Sequence, residues 1–367
     1  GLDDGDGKKN GAGAAFPCPL FGLEQVFERV HVDESGNIDA KRRPEDVASI
    51  IFTSGTTGRP KGVVLTDRNF TALTSRMSAL FELNRTDSLL SVLPPHHTFE
   101  FAVGLLMPIA SGASVTYLEE RTSELIGRAF DETPVTALVG VPAVWESLHR
   151  KITTQIADRG RAFEILVEFL AKANRELRDR VGWNFGRWLF RPIHNAFGGR
   201  MRFLVSGGAA LDPAIFEDLR GYGFSMYQGY GLTEASPVLT VGWPGMKTPA
   251  NSVGWPLPGI EVRIDASDAD GIGEIVARGP TIMRGYLGDD AATSRTIVDG
   301  WLHTGDRGKI DDAGRVYVVG RDKDIIIDTN GKNVYPDEVE ELYAGCPFIK
   351  EMSVVGVPQD QSAGERV

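Results

Sequence analysis

Residues 53–62 read T-S-G-T-T-G-R-P-K-G, a run of hydroxyl side chains and glycines that closes with Pro60, Lys61 and Gly62. Small residues let the backbone approach a triphosphate closely, while Ser and Thr hydroxyls and backbone amides can donate hydrogen bonds to its oxygens. The Walker loop, G-x-x-x-x-G-K-[ST], does not fit, because Pro60 precedes the lysine and Gly62 follows it. The run therefore predicts a phosphate-binding loop of another type, with a flexible turn as the structural alternative.

The residues on either side of this loop predict a strand before it and a helix after it. An apolar run, VASIIF at 47–52, leads directly into the loop. A helix is predicted after the loop, because apolar residues from Phe70 to Met77 recur at spacings of three and four. Asp67 is its predicted cap. A strand, a loop and a helix in that order aim backbone amides at a bound phosphate.

The same alternation of strand and helix recurs along the chain. Further strands are predicted at 89–94, 113–118, 135–142 and 201–208, with helices around Trp145–Arg150 and from Asp212. Alternating elements of this kind form a parallel sheet covered by helices, so the expected fold class is α/β. A charged amphipathic stretch at 161–197 predicts a long helical region that packs on one face and is solvated on the other.

After about Trp243 the pattern changes to short alternating runs separated by Gly, Pro and Asp, which predicts a smaller β-rich subdomain. The last stretch predicts a helix at 336–343 and a strand at 352–358, too little for an independent α+β domain, so that domain is expected to be truncated. The predicted organisation is a mobile N-terminal segment and lead-in at 1–46, an α/β core at 47–242, the β-rich subdomain at 243–320, and a hinge with the start of the C-terminal domain at 321–367.

Composition limits the class of protein. The chain has 367 residues, 42% hydrophobic and 24% charged, as ordinary globular proteins do. Its net charge of −11 argues against nucleic-acid binding, which needs a basic surface. Cys18 and Cys346 form neither a disulfide framework nor a metal cluster, which favours a reducing, cytoplasmic setting. The uncharged run 101–118 contains Pro and Gly and predicts a buried helix and strand rather than a membrane span.

Three further motifs carry polar groups suited to a nucleotide. Residues 227–237, Y-Q-G-Y-G-L-T-E-A-S-P, offer an aromatic ring for stacking, the Thr233 hydroxyl and the Glu234 carboxylate, which suits Mg²⁺. The run W-L-H-T-G-D ends at Asp306, whose carboxylate can accept both hydroxyls of a ribose. The run G-R-D-K-D occupies 320–324. Each motif alone has a structural explanation, because Gly-rich turns and single acids are common in loops.

In this order and spacing, the four motifs resemble those of the adenylate-forming superfamily, which includes acyl-CoA synthetases, luciferases and the adenylation domains of peptide synthetases. The resemblance extends from residue 43 to residue 367 and is strongest to bacterial long-chain fatty acyl-CoA ligases. The segment L-P-P-H-H-T-F-E at 93–100 is similar to their L-P-x-x-H-x-F-E and places His97 beside the acyl site. An amino-acid-activating domain would be expected to have an Asp here, where this chain has Thr98 and Phe99.

The resemblance implies roles for individual residues. The catalytic group would be Lys61, His97, Thr233, Glu234 and Lys323, with Lys323 as the hinge of the small domain. The nucleotide would be bound by Ser54, Gly55, Thr56, Thr57, Gly58 and Lys61 at its phosphates, by Gly207, Gly208, Ala209, Gln228, Gly229, Tyr230 and Gly231 around the adenine, by Thr233 at the α-phosphate, and by Asp306 and Arg321 at the ribose. Glu234 and Ser54 would hold Mg²⁺, and Asn333 falls near a nucleotide contact.

The implied reaction is the ATP-dependent activation of a fatty acid, with long-chain acids favoured, to an acyl-adenylate, followed by thioester formation with coenzyme A. Two alternatives remain open: transfer of the acyl group to a carrier-protein thiol, and a relative that binds acyl or nucleotide ligands without catalysis. The family's downstream catalytic lysine is not in this sequence. The implied reaction makes fatty acid, ATP, Mg²⁺ and coenzyme A the expected partners. Peripheral contact with a membrane also stays open, and the oligomeric state is undetermined.

Overall fold

The computed structural model describes residues 42–53, 60–118, 120, 122–321, 326–327, 333–334, 354, 357–358 and 365–366. The chain divides into two units, and every helix and strand described here belongs to the second unit, residues 44–367.

The strands are β1 (Val47–Thr53), β2 (Lys61–Thr66), β3 (Ser88–Ser91), β4 (Ser114–Tyr117), β5 (Ala137–Gly140), β6 (Phe203–Ser206), β7 (Met226–Tyr230), β8 (Thr240–Val241), β9 (Trp255–Pro256), β10 (Glu261–Asp265), β11 (Gly273–Arg278), β12 (Gly285–Tyr286), β13 (Ile297–Val298), β14 (Trp301–Ile310), β15 (Val316–Arg321), β16 (Ile326–Ile327), β17 (Asn333–Val334), β18 (Val357–Pro358) and β19 (Glu365–Arg366). The α-helices are α1 (Asp67–Phe81), α2 (Met107–Ser111), α3 (Ser123–Glu132), α4 (Pro142–Ala157), α5 (Arg161–Val181), α6 (Gly186–Leu189), α7 (Arg191–Ala196), α8 (Pro213–Gly221) and α9 (Asp290–Thr296). A π-helix spans Glu100–Leu106 and a 3-10 helix spans Thr233–Ala235.

Within the described residues, seven strands form the main sheet in the order β4-β3-β5-β6-β7-β8-β9. The five strands from β4 to β7 are parallel, and β8 and β9 are antiparallel to their neighbours. Helices α1, α3, α4 and α8 connect or flank these strands, which confirms the predicted α/β fold class.

Successive residues of the parallel strands bury their side chains on opposite faces of the main sheet. On β5, Val139 joins one hydrophobic core and Leu138 joins the other. On β6, Val205 and Leu204 divide in the same way. Because both of their faces are covered, β5 and β6 are largely apolar, which is why short hydrophobic runs predicted them.

The chain on either side of the predicted phosphate loop differs from the expected strand, loop and helix. Strands β1 and β2 pair in antiparallel fashion, with Thr53 opposite Lys61, so the residues between them join two strands. Helix α1 begins only after β2. Its N-cap is Thr66, whose side chain accepts from the Asn69 backbone amide while the Asn69 side chain accepts from the Thr66 amide. The prediction of Asp67 as the cap is therefore wrong by one residue, because Thr66 has the extended backbone that a cap requires.

Strands β10, β11, β13, β14 and β15 form an antiparallel sheet, as the short alternating runs predicted. The main sheet continues through β9, past residue 242, and β12 pairs with β2 in a separate small sheet. The predicted domain boundaries stay predictions.

The charged stretch at 161–197 contains α5 and the shorter α6 and α7, and the uncharged run 101–118 contains the π-helix, α2 and β4. The helix predicted at 336–343 lies outside the described residues, as do both cysteines. Among the helices that are described, none is long and apolar enough to span a membrane.

Candidate active site

Three of the predicted motifs meet at the carboxyl-terminal edge of the parallel strands, where open α/β sheets bind their ligands. Thr98, on the segment after β3, donates a hydrogen bond of 3.3 Å to the Thr233 hydroxyl. The Phe99 ring packs on Gly207, at the end of β6, so closely that a Cβ on Gly207 would lie 2.8 Å from it. A glycine is therefore required at Gly207 by close approach, and the L-P-P-H-H-T-F-E segment is fixed against both β6 and the 3-10 helix.

A pocket opens at this junction. Five residues predicted to bind the nucleotide line it, and its other lining residues are apolar. The five are Gly207, Gly208, Gly229, Tyr230 and Gly231, and the apolar residues are Met77, Phe99, Val205, Pro237, Val238 and Val241. A lining that combines backbone polar groups with apolar side chains suits a ligand with one polar and one apolar part.

The Asp306 carboxylate is the centre of a buried polar cluster. Its Oδ2 accepts a hydrogen bond of 2.6 Å from the Tyr230 hydroxyl, and its Oδ1 lies 2.9 Å from Arg321 Nε. Burial, and then the charge of Asp306, raise the pKa of Tyr230 well above its usual value, so the hydroxyl remains a donor. Asp306 is only 4% exposed, whereas the Arg321 side chain is 60% exposed. The pair therefore reaches solvent through Arg321, the other residue predicted to bind the ribose.

The Glu234 carboxylate has a different environment. Its Oε1 accepts a hydrogen bond of 2.8 Å from the Tyr286 hydroxyl, and burial, followed by the charge of Glu234, raises the pKa of Tyr286. The Lys61 ammonium lies over the Tyr286 ring, 4.9 Å from its centroid. No cation among the described residues forms an ion pair with Glu234, which is half-buried. Its negative charge is therefore left for a bound cation.

The arrangement around Glu234 fits Mg²⁺ held jointly with a substrate. Nowhere in the described part of the chain do three His, Cys, Asp or Glu side chains cluster as a self-contained metal site would need. Mg²⁺, however, is commonly bound by one or two carboxylates together with phosphate oxygens and water. Glu234 is the side chain that would hold such an ion, and its Oε1 already accepts from Tyr286.

The remaining predicted residues lie in different surroundings. The side chain of His97 is exposed and its ring lies 4.6 Å from that of His96, so Thr98 rather than His97 contacts the 3-10 helix. Gln228 is 5% exposed and its side-chain amide donates to the Ala250 carbonyl. Gly208 and Ala209 are exposed in the loop after β6. Ser54, Gly55, Thr56, Thr57, Gly58 and Lys323 lie outside the described residues, and Asn333 is described only as part of β17.

The sequence interpretation missed Tyr286 and Thr98. Tyr286 reaches Glu234 because β12 pairs with β2, in the register that sets Tyr286 opposite Val63. The only local signal is a tyrosine after Gly285 in a turn-rich run, which is weak. Thr98 was noted for the Asp that it replaces, but its contact with Thr233 joins residues 135 positions apart.

Comparisons with known proteins match most of the chain to one family. The profile of the AMP-binding enzyme family matches residues 17–287. The peroxisomal long chain acyl-CoA synthetase 7 of Arabidopsis thaliana is 33% identical over 330 residues, covering 86% of this chain and 46% of the relative. A 2-succinylbenzoate–CoA ligase of Bacillus cytotoxicus is 31% identical over 357 residues, covering 94% of this chain and 65% of the relative.

A solved structure is similar as well. O-succinylbenzoate coenzyme A synthetase from Bacillus subtilis, in complex with ATP and magnesium ion, has a TM-score of 0.69 at 25% identity, over 88% of this chain and 59% of that one. The chain therefore spans between 46% and 65% of the length of these three proteins.

Proposed function

The chain belongs to the family of AMP-binding enzymes, and from that premise we propose that its protein activates a fatty acid with ATP and transfers the acyl group to coenzyme A. Long-chain acids are the favoured substrates. The observation that carries the proposal is the pocket at the sheet edge, whose lining combines predicted nucleotide-binding residues with apolar side chains. Asp306 and Glu234 supply the two carboxylates that the ribose and Mg²⁺ require.

In the first step, a carboxylate oxygen of the fatty acid attacks the α-phosphorus of ATP. A bond forms between that oxygen and phosphorus, the bond from phosphorus to the bridging oxygen breaks, and pyrophosphate leaves with the electron pair. Asp306 orients the nucleotide by accepting from the ribose hydroxyls, and Thr233 donates toward the α-phosphate. Lys61 and the hydroxyls predicted at 54–57 would offset charge on the departing phosphates. Mg²⁺, when bound, adds a positive charge at those phosphates.

In the second step, the thiol of coenzyme A attacks the acyl carbonyl carbon. The new sulfur–carbon bond replaces the bond between that carbon and the AMP oxygen, AMP leaves, and the thiol proton passes to solvent. No side-chain nucleophile is needed in either step. Lys323 stays the predicted pivot between the two poses, and a cytoplasmic location stays a prediction.

Acid-dependent release of pyrophosphate by the intact protein, with its C-terminal domain, tests the proposal. The assay compares short, medium and long straight-chain acids with 2-succinylbenzoate, and a matched control substitutes Asp312, an exposed acid in the turn after β14, by Asn. We expect release to increase with chain length because the pocket wall is apolar, and Asp312→Asn to behave as the unaltered protein. Release with 2-succinylbenzoate but with no fatty acid would overturn the choice of substrate.

Release of AMP shows whether coenzyme A or a carrier protein accepts the acyl group. If coenzyme A is the acceptor, AMP appears only when coenzyme A is added after the acyl-adenylate has formed. AMP release that depends on a carrier protein instead would favour the acyl-AMP ligase reading. Nucleotide binding with no pyrophosphate release from any acid would favour a non-catalytic relative.

A further inference from the structure

Strand β14 contains a bulge at the position that carries Asp306. On β11, Glu274 pairs with Arg307 of β14, but two residues later along β11 the pairing has moved to His303. One residue of β11 therefore lies opposite the three residues 304–306 of β14. A bulge bends its strand and interrupts the ladder of hydrogen bonds, and bulges are common beside active sites. The geometry of this bulge therefore determines where the Asp306 carboxylate lies.

Side chains bind two backbone amides of the bulge. Gly305 has a φ of 72°, in the left-handed region that favours glycine, and its amide donates a hydrogen bond of 3.0 Å to Glu274 Oε1. The Asp306 amide donates to the Thr304 hydroxyl across 3.1 Å. That hydroxyl donates in turn to the Ile275 carbonyl across 2.7 Å. The backbone that leads into Asp306 is therefore held by one carboxylate and one hydroxyl.

The second oxygen of Glu274 binds the residue that precedes the bulge. His303 Nδ1 lies 2.8 Å from Glu274 Oε2, and because a carboxylate can only accept, Nδ1 carries the proton in this contact. The side chains of His303 and Glu274 are 26% and 23% exposed, so most of the contact is shielded from water. Glu274 therefore spans the bulge from His303 to Gly305 and uses both of its oxygens.

The last residue of the bulge connects β14 to the main sheet. Asp306 is buried, lies opposite Arg321 on β15, and accepts from the hydroxyl of Tyr230 on β7. A shift of the bulge would move the carboxylate relative to both of these partners and to a ribose. Hydrogen bonds weaken steeply as their distance and angle depart from the preferred values. The strength of the ribose contacts should therefore depend on how firmly the bulge is held.

We propose that Glu274 is a positioning residue that gives the site its preference for ribonucleotides over deoxyribonucleotides. It acts through the Gly305 amide, which fixes the bulge so that the Asp306 carboxylate faces the ribose hydroxyls. The inference rests on the proposed function, which assigns Asp306 to the ribose. A residue that only stabilised the sheet would change the free energy of unfolding. A positioning residue also changes the part of the nucleotide affinity that depends on the ribose hydroxyls.

Titration calorimetry of the intact protein with AMP and with 2′-deoxy-AMP, in a chelator, tests the role of Glu274. The unaltered protein should bind AMP more tightly than 2′-deoxy-AMP by about tenfold or more, because one hydrogen bond to a charged acceptor is lost. Glu274→Ala should weaken AMP by about tenfold and 2′-deoxy-AMP by about threefold, since the deoxynucleotide has one hydroxyl contact fewer to lose. The preference for AMP should therefore fall by about threefold.

Matched variants separate positioning from stability. Glu261→Ala removes a carboxylate from β10 of the same sheet, where it accepts from Arg278, and should keep the full preference for AMP. Glu274→Gln keeps an oxygen that can accept from the Gly305 amide, and should retain most of the preference. In an Asp306→Ala background, Glu274→Ala should cause no further loss of AMP affinity, because the acid through which it acts is already absent. Urea unfolding of each variant measures stability separately.

Three results would overturn the inference about Glu274. The first is an unchanged preference for AMP in Glu274→Ala, and the second is an equal loss of preference in Glu261→Ala. The third is a full additional loss of AMP affinity when Glu274→Ala is combined with Asp306→Ala. Failure of the ribose assignment gives a different result, because Asp306→Ala itself would then keep the preference, and both the assignment and this inference would fall. If Asp306→Ala abolishes the preference and Glu274→Ala keeps it, the inference alone is wrong.

Discussion

Two tyrosine–carboxylate pairs lie at the candidate active site, and they differ in whether a protein cation balances the negative charge of the carboxylate. Asp306 is 4% exposed, accepts from Tyr230 and is paired with Arg321. Glu234 is half-buried and accepts from Tyr286, while the Lys61 ammonium lies over the ring of that tyrosine. One carboxylate is neutralised by a protein cation, and the other keeps its charge.

The difference separates two kinds of recognition. A carboxylate that is already neutralised and oriented is suited to accept hydrogen bonds from uncharged hydroxyls, because its two oxygens have further lone pairs. A carboxylate without a protein cation is suited to a divalent ion, since the ion supplies the missing charge. On this comparison, Asp306 should affect every adenine nucleotide alike, and Glu234 should matter only when Mg²⁺ is present.

The largest expected effect is that of Asp306→Ala on nucleotide affinity. A hydrogen bond to a charged group contributes about 1.5 to 3 kcal/mol, so losing two ribose contacts should weaken ATP and AMP by about 10² to 10⁴-fold. Titration calorimetry with each nucleotide, in Mg²⁺ and in a chelator, measures this loss, and we expect the two nucleotides to be affected equally.

Two further variants serve as controls for the Asp306 prediction. Asp306→Asn keeps the shape of the side chain and tests whether the loss is due to charge, and Asp312→Ala removes an exposed acid away from the pocket. Normal AMP binding by a folded Asp306→Ala variant would show that this acid has only a structural role within β14.

Glu234→Gln should have the next largest effect, and only on the reaction or binding that involves Mg²⁺. Loss of one electrostatic contact to the developing charge typically lowers the rate by about 10² to 10³-fold. The measurement is acid-dependent pyrophosphate release as a function of Mg²⁺ concentration, together with AMP affinity in chelator. Unaltered AMP binding with impaired release would support the comparison, and equal losses in both would contradict it.

The sequence predicted the parallel sheet well because its signals are local. Strands buried on both faces, such as β5 and β6, are short apolar runs. The helix predicted from Asp212 is α8, and Asp212 caps it by accepting from the Ala214 amide. The prediction of Asp67 was wrong because Thr66, one residue earlier, has both the extended backbone and the hydroxyl that an N-cap needs.

The candidate site was less predictable, because its contacts depend on pairing between distant segments. Tyr286 and Glu234 are 52 residues apart, and Tyr230 and Asp306 are 76 apart. A motif can nominate the carboxylate, since acids have a direct chemical role. It carries no information on which tyrosine will donate to that acid, because the donor is set by sheet register, as in the pairing of β12 with β2.

The smallest expected effects come from removing one hydroxyl from each pair, and they compare the two environments most directly. In Tyr230→Phe the buried Asp306 loses a donor that water cannot easily replace, which should cost about 1 to 3 kcal/mol of unfolding free energy. In Tyr286→Phe the half-buried Glu234 can recruit water, so about 0.5 to 1.5 kcal/mol is expected. Urea unfolding of both variants measures the difference, and the midpoints should shift further for Tyr230→Phe. Because both substitutions delete the same atom, their unequal cost would report burial of the carboxylate rather than loss of the tyrosine. Equal shifts would mean that the two carboxylates are solvated alike, and the distinction between a ribose acceptor and a metal ligand would then lose its physical basis.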